Sequence, residues 1–402
     1  MAYRKNYPYG RIFYKPCSFS YKPCSRPRKK IGIFAEGRLR LGNPSKLIAL
    51  DLHSLCRRPA QKNICMKRDL SMDALRGVAA LFVVLLHVTA LRLDETSGPQ
   101  WAAINLLNGL TRWTVPVFIM LSGAFLLGRR NEDTLGLWMK RVGRTAGILL
   151  FWNIVYFFAR TKGTALPSPH DLIYPNAYHL WFMYLLTGLY ALLPLLRRIA
   201  TGRTEGCFVA LWAVLCIVPL TFGAYGGITL PTVFRPVGYA GYFVLGHFLY
   251  ERRAWLKGRL LAAILATGTA AAACATWLTH NGSLSQGRLC IDAYDNLGLC
   301  VLLTSVAVFA AFTRLRVRPE TRAGKTVSLL AESSAGIYLT HLLFVGLPCD
   351  IPGLMPATAA GCMAAWTAVC AASLALTRVL AALPALRRTV FLARPRRPRK
   401  EE

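Results

Sequence analysis

The sequence predicts an all-α membrane protein, a polytopic bundle of about ten transmembrane helices with both termini cytoplasmic. The first observation is composition: 54% of the 402 residues are hydrophobic and 17% charged, and the mean hydropathy is +0.38, which fits a polytopic membrane protein better than a soluble enzyme. The second is a series of ten apolar runs near the ~20 residues that cross ~30 Å of hydrocarbon. They lie at about 70–92, 102–127, 143–159, 179–196, 206–222, 233–250, 260–278, 296–313, 327–347 and 356–384. The third is the placement of positive charge. With the amino terminus inside, the inner connections carry 24 Lys and Arg, and the outer ones carry five: Arg92, Arg160, Lys162, Arg235 and Arg288. That asymmetry is the positive-inside pattern. It also explains the net charge of +31 without a nucleic-acid partner, because the cations sit between apolar runs and at the termini rather than along one soluble face.

The chain divides into three parts. Residues 1–66 mix Pro, Tyr and Ser with fifteen Lys and Arg against Glu36 and Asp51; they hold no spanning run and read as a disordered basic extension. A start at Met66 and an inner-leaflet polybasic arm are the alternatives. Residues 67–384 form the membrane domain, and 385–402 a basic cytoplasmic tail. The longest outer connection, about 160–178, is under twenty residues, so any chemistry belongs to the bundle or its faces. Twelve cysteines show no CxxC pair and no Cys/His metal spacing. Cys290 and Cys349 are a possible outer-face disulfide pair.

The first run, "SMDALRGVAALFVVLLHV", carries Asp73, Arg76 and His87. Arg76 and His87 are eleven residues apart, so at ~100° and ~1.5 Å per residue they share a face and stand ~16 Å apart along the axis. Taken singly, Arg76 can snorkel to the inner border beside Asp73 and His87 can rest at the outer border. Two polar groups on one face favour a shared cavity or path. His179, opening the fourth run, and His341, in the ninth, fall at the level of His87 and make a polar outer vestibule. Trp181 stands beside it and can stack on a sugar ring. On the inner side Arg141 and Arg144 are three residues apart on one helix face; with Arg129, Arg130 and Arg76 they form a cationic mouth suited to phosphate oxygens. Plain positive-inside anchoring explains the same arginines one by one. Ser122-Gly123 reads as a close helix contact.

Taken in order, "LSMDALRGVAALFVVLLHV", "VPVFIMLSGAFLLGRR", "KRVGR", "HLWFMYLLTGLYALLPLL", "GYFVLGHFLY" and "AGIYLTHLLFV" resemble the landmarks of acyltransferase family 3, the membrane-bound O-acyltransferases of bacteria. The likeness runs from about residue 68 to 350, and its wording is similar to the branch that contains the enterobacterial common antigen O-acetyltransferase. The resemblance implies transfer of an acyl group, usually acetyl, from cytosolic acyl-CoA to a hydroxyl of a cell-envelope carbohydrate or lipid-linked sugar, by a multi-pass inner-membrane protein. Acetyl-CoA is then a donor substrate and not a permanently bound cofactor. Arg76 and His87 match the family's first-span pair and Arg141 and Arg144 its Arg-x-x-Arg. Glu332 is the candidate for a further carboxylate, although it falls near the inner end of its span. Phosphates would dock on Arg141, Arg144 and Arg76, His179, Trp181 and His341 would line the acceptor side, and His87 would act as general base or as acyl carrier. Asp73 would orient Arg76. A multi-pass transporter with a polar internal pathway is the alternative; it predicts an internal repeat, and none relates residues 70–250 to 251–384.

Overall fold

The computed structural model describes residues 68–94, 98–128, 135–200, 204–218, 221, 235–346 and 358–390. These residues are helical, with no strand among them. Helix α1 (Leu70–Ala90) is followed by α2 (Gly98–Gly109) and α3 (Thr114–Leu126), which act as one span, and by α4 (Leu135–Thr161). Helix α5 (Pro169–Ile173) and a 3₁₀ turn at Tyr178–Leu180 lead into α6 (Trp181–Ala191) and α7 (Leu193–Ala200). Next come α8 (Glu205–Trp212), continued by a π turn at Ala213–Ile217, α9 (Arg235–Glu251) and α10 (Gly258–Gln286). A 3₁₀ turn at Asp292–Tyr294 precedes α11 (Leu299–Thr313), α12 (Arg322–Val345), α13 (Ala359–Ala382) and α14 (Arg387–Val390).

Each of the ten apolar runs has a helical counterpart, but among the described residues seven segments are long and apolar enough to cross a membrane, or eight if the bent α6–α7 pair is one span. The difference from ten has local causes. α6 and α7 are bent by 64° at Leu192, where Pro194, the second residue of α7, has no N–H to donate back into α6. The Glu205–Ile217 helix is a shorter apolar one, and α9 has 17 residues, below the ~20 of an untilted span.

The ends of the helices are fixed by their sequence. Asp69 caps α1 by accepting from the backbone N–H groups of Ser71 and Met72, Thr321 and Thr358 cap α12 and α13 in the same way, and α10 ends on Gly287 at φ +60°, a left-handed stop that glycine adopts without strain. α1 packs chiefly on α12, α3 on α9, and α10 on α11. At the α3–α9 crossing a Cβ on Gly123 would run into the carbonyl of Phe243, and one on Gly246 into the carbonyl of Met120. The Ser122-Gly123 step is thus a close helix contact, as small residues at membrane interfaces provide. The largest cluster of buried apolar side chains joins α1, α3, α4, α6 and α9, with Trp152, Tyr242 and Phe243 fully enclosed.

Candidate functional site

His87 lies in the last turn of α1, His341 on α12, and His179 in the 3₁₀ turn ahead of α6. The fold brings the three together. The His87 and His341 rings stack at 5.1 Å with an interplanar angle of 23°, and His179 meets His341 edge-on at 5.2 Å and 78°. Tyr178 completes the group: its hydroxyl is 2.9 Å from His87 Nδ1. A tyrosine hydroxyl both donates and accepts, so it partners His87 Nδ1 in either tautomer; in the one with hydrogen on Nδ1, that N–H donates to the Tyr178 oxygen and Nε2 is free to take a proton.

His341 is fully buried, and its Nδ1 is 2.6 Å from the Tyr338 carbonyl. A carbonyl only accepts, so Nδ1 carries the hydrogen and Nε2 presents a lone pair. That Nε2 and both ring nitrogens of His179 are buried without a hydrogen-bond partner. His179 is 1% exposed and is walled in by Tyr156 at 5.0 Å and Tyr338 at 5.4 Å, while the Tyr338 hydroxyl donates to the His179 carbonyl and that of Tyr156 to the Leu339 carbonyl at 2.7 Å. An unsatisfied buried polar atom costs about 1–3 kcal/mol. Three such atoms lie on two neighbouring rings, and a neutral imidazole offers one N–H and one lone pair, so the pair of rings can both donate to and accept from a hydroxyl. Among the described residues no group of three or more His, Cys, Asp or Glu is arranged to hold a metal ion; these rings pack face and edge.

The loop that delivers Tyr178 and His179 is held by a residue that sequence reasoning passes over. Asn153, fully buried on α4, donates to the carbonyls of Asp171 and Tyr174 at 2.9 and 2.8 Å and accepts from Asn176 N at 2.7 Å. Ser168 and Asp171 close a capping box on α5, and Arg160 reaches Asp171 at 3.1 Å. The Ser168 hydroxyl and backbone N–H, with Arg160, hold the Asp171 carboxyl below the usual carboxylate range.

At the other end of α1, Arg76 is half-buried, 3.6 Å from the Asp73 carboxylate, with its guanidinium 5.5 Å from the Phe125 ring centroid. The Tyr190 hydroxyl lies within range of the charges of both Arg76 and Arg141. Tyr190 lies at the end of α6, and Tyr178 lies just before its start. One segment, Tyr178–Ala191, therefore addresses Arg76 at one end and His87 at the other. Arg144 follows Arg141 on α4 by three residues.

Two site candidates stand elsewhere. Glu332 is nine residues before His341 on α12, ~13 Å along the axis and half a turn out of phase at ~100° per residue. It pairs with Arg68 at 3.1 Å, and Arg68 binds Asp73 at 2.5 Å, so the structure puts Glu332 at the Arg76 end and not among the histidines. Trp181 packs on Tyr239 at 5.6 Å and on Phe182, a half-buried ring beside the cluster and outside it. His247 belongs to a separate buried group, 2.7 Å from Glu205, which also takes Arg252 at 3.0 Å. Arg129, Arg130, Cys349 and residues 1–66 lie outside the described residues.

Tyr178 and Tyr338 carry a faint signal in the sequence: one adjoins His179, the other precedes His341 by three residues, on the same helix face. Asn153 has none beyond polarity inside an apolar run. No curated protein and no solved structure matches the chain. A family model described as an acyltransferase domain, acyltransferase 3, matches residues 69–377, a stretch that holds both ends of α1, the α4 arginines and all three clustered histidines. The chain therefore belongs to the acyltransferase 3 family and is a multi-pass membrane acyltransferase.

Proposed function

We propose that the protein is an O-acyltransferase of the inner (cytoplasmic) membrane that moves an acyl group, acetyl in the simplest case, from cytosolic acyl-CoA to a hydroxyl of a cell-envelope glycan or lipid-linked sugar. The observation that carries this reading is the shared segment: a guanidinium and an imidazole ~16 Å apart on α1 face the two ends of Tyr178–Ala191. In the orientation favoured by the Lys and Arg distribution, with ten crossings and both termini cytoplasmic, the Arg76 end faces the cytosol.

Arg141, Arg144 and Arg76 take the phosphates of the donor, bidentate guanidinium pairing suiting phosphate oxygens. The flexible pantetheine arm carries the thioester along α1 to His87. The acceptor hydroxyl lies between His87 and the unpartnered nitrogens of His341 and His179. As its oxygen bonds to the thioester carbon, its proton passes to His87 Nε2 and the carbonyl electron pair moves to oxygen. Collapse breaks the C–S bond, and the thiolate of CoA takes the proton back from His87, leaving an ester and free CoA-SH. Proton transfer of this kind contributes about 10²–10⁴ in rate, and alignment of the two substrates contributes further. Asp73, bridging Arg68 and Arg76, orients the cation, and Glu332 braces Arg68. Trp181 flanks the acceptor side.

The test is transfer of label from [14C]acetyl-CoA to extracted envelope glycan by the full chain in nanodiscs. His87→Ala should abolish it while the protein still assembles; retained transfer would remove His87 from the chemistry.

A further inference from the structure

Arg112 is a half-buried charged residue that the mechanism above leaves unused. Arg112 lies between α2 and α3, inside the Gly98–Leu126 span, where an arginine is costly and marks function unless its neighbours explain it. Its surroundings are specific. The guanidinium is 4.3 Å from the centroid of the Tyr294 ring and donates to the side-chain carbonyl of Asn108. The Asn108 amide then donates twice to α1, to the Leu86 carbonyl at 3.1 Å and the Thr89 hydroxyl at 2.8 Å. Those two residues bracket His87. Tyr294 is itself fixed, its hydroxyl 2.8 Å from Asn105 Oδ1, and the Asn105 amide is tied to the Thr276 carbonyl at 3.1 Å. Each link has one orientation only: the amide carbonyl of Asn108 must face Arg112 for both its N–H groups to reach α1.

We propose that Arg112 is a positioning residue for the acyl transfer, fixing through Asn108 the turn of α1 that carries His87. This rests on the acyltransferase reading for its catalytic consequence, whereas the coupling of Arg112 to His87 stands on the contacts alone. A neutral amide in place of Arg112 could reach Asn108 but would lose the attraction of the cation to the Tyr294 ring, so hydrogen bond and charge act together in holding this turn.

The test uses the full chain in nanodiscs, with isotope-labelled histidines and [14C]acetyl-CoA, and the variants Arg112→Gln and Arg112→Lys. The His87 ring resonance, identified by its loss in His87→Gln, should move in Arg112→Gln and return towards the parent position in Arg112→Lys. In the transfer assay Arg112→Gln should lower kcat about 100-fold, in the range of a mis-set proton acceptor, with KM for acetyl-CoA within about twofold and with Arg112→Lys recovering at least about tenfold of the loss. The inference is overturned if the resonance stays in place in Arg112→Gln, or if Lys and Gln variants are equally impaired, which would make the role packing alone. Should Arg112→Gln fail to assemble, Arg112→Lys against Asn108→Ala gives the same decision, since the second removes the link and keeps the charge. If the parent protein transfers no label, the acyltransferase reading fails, and the resonance arm still decides the coupling.

Discussion

At the scale of single residues, the candidate site is a set of three packed imidazoles, of which His341 has its Nδ1 hydrogen fixed by the Tyr338 carbonyl and His87 is bonded to Tyr178. Tyr178 is the partner of His87 Nδ1, and a net hydrogen bond is worth about 1 kcal/mol, so Tyr178→Phe should lower kcat about five- to tenfold and leave KM for acetyl-CoA unchanged, read from steady-state transfer. At the opposite end, Arg141→Ala with Arg144→Ala should raise KM for acetyl-CoA at least about tenfold, as loss of charged hydrogen bonds worth about 1.5–3 kcal/mol requires, and should flatten the dependence of that KM on salt. The pair Arg76 and His87 was legible in sequence because helical spacing alone puts them on one face. Glu332 was not: its residue type fits acid–base work, but only the fold shows it on Arg68, two and a half turns from His341. Arg112 escaped for the converse reason, since nothing in "NGLTRWTV" tells that its side chain turns to Asn108 and the α1 turn beyond it.

At the scale of elements, two devices hold the site. The first is the loop before α6, pinned by Asn153. Asn153→Ala should free it and reduce transfer about tenfold, one to two lost hydrogen bonds at about 1 kcal/mol each, with faster amide exchange over residues 168–178 as the direct measurement. The Asp171 cap in the same loop has its folded pKa depressed. Its contribution is fully present above the ordinary aspartate pKa of about 3.9 and is lost only as pH falls through the lower folded value. Loop protection should therefore persist across the weakly acidic range, and its loss already near pH 5 would contradict that assignment. The second device is the α3–α9 crossing. Gly123→Ala places a methyl against the Phe243 carbonyl, and overpacking of this kind costs about 1–3 kcal/mol, to be seen as a lower unfolding midpoint in detergent. Apolar runs predicted these helices well, because length and hydropathy are local properties. The bend at Leu192 and the shortness of Glu205–Ile217 were less visible, since a run of apolar letters does not show where a helix breaks.

At the scale of the whole molecule, the proposed function runs along one axis, from the arginines on α1 and α4 to the histidine cluster, with the Tyr178–Ala191 segment alongside. On that reading the positive-inside count orients the axis across the membrane, with the donor below and the acceptor above. Sequence could state the two ends but not their connection, because His87, His179 and His341 come from helices far apart in the chain and only packing of α1 on α12 joins them. The central claim is that the bundle links two faces through this one lining. The most direct measurement reconstitutes the full chain in sealed vesicles, sorted by orientation, with [14C]acetyl-CoA supplied outside and envelope glycan trapped within. Vesicles with the Arg76 end outward should label the trapped glycan, and the His87→Ala protein should not. Label that reaches only glycan placed on the same side as acetyl-CoA would contradict a path through the bundle.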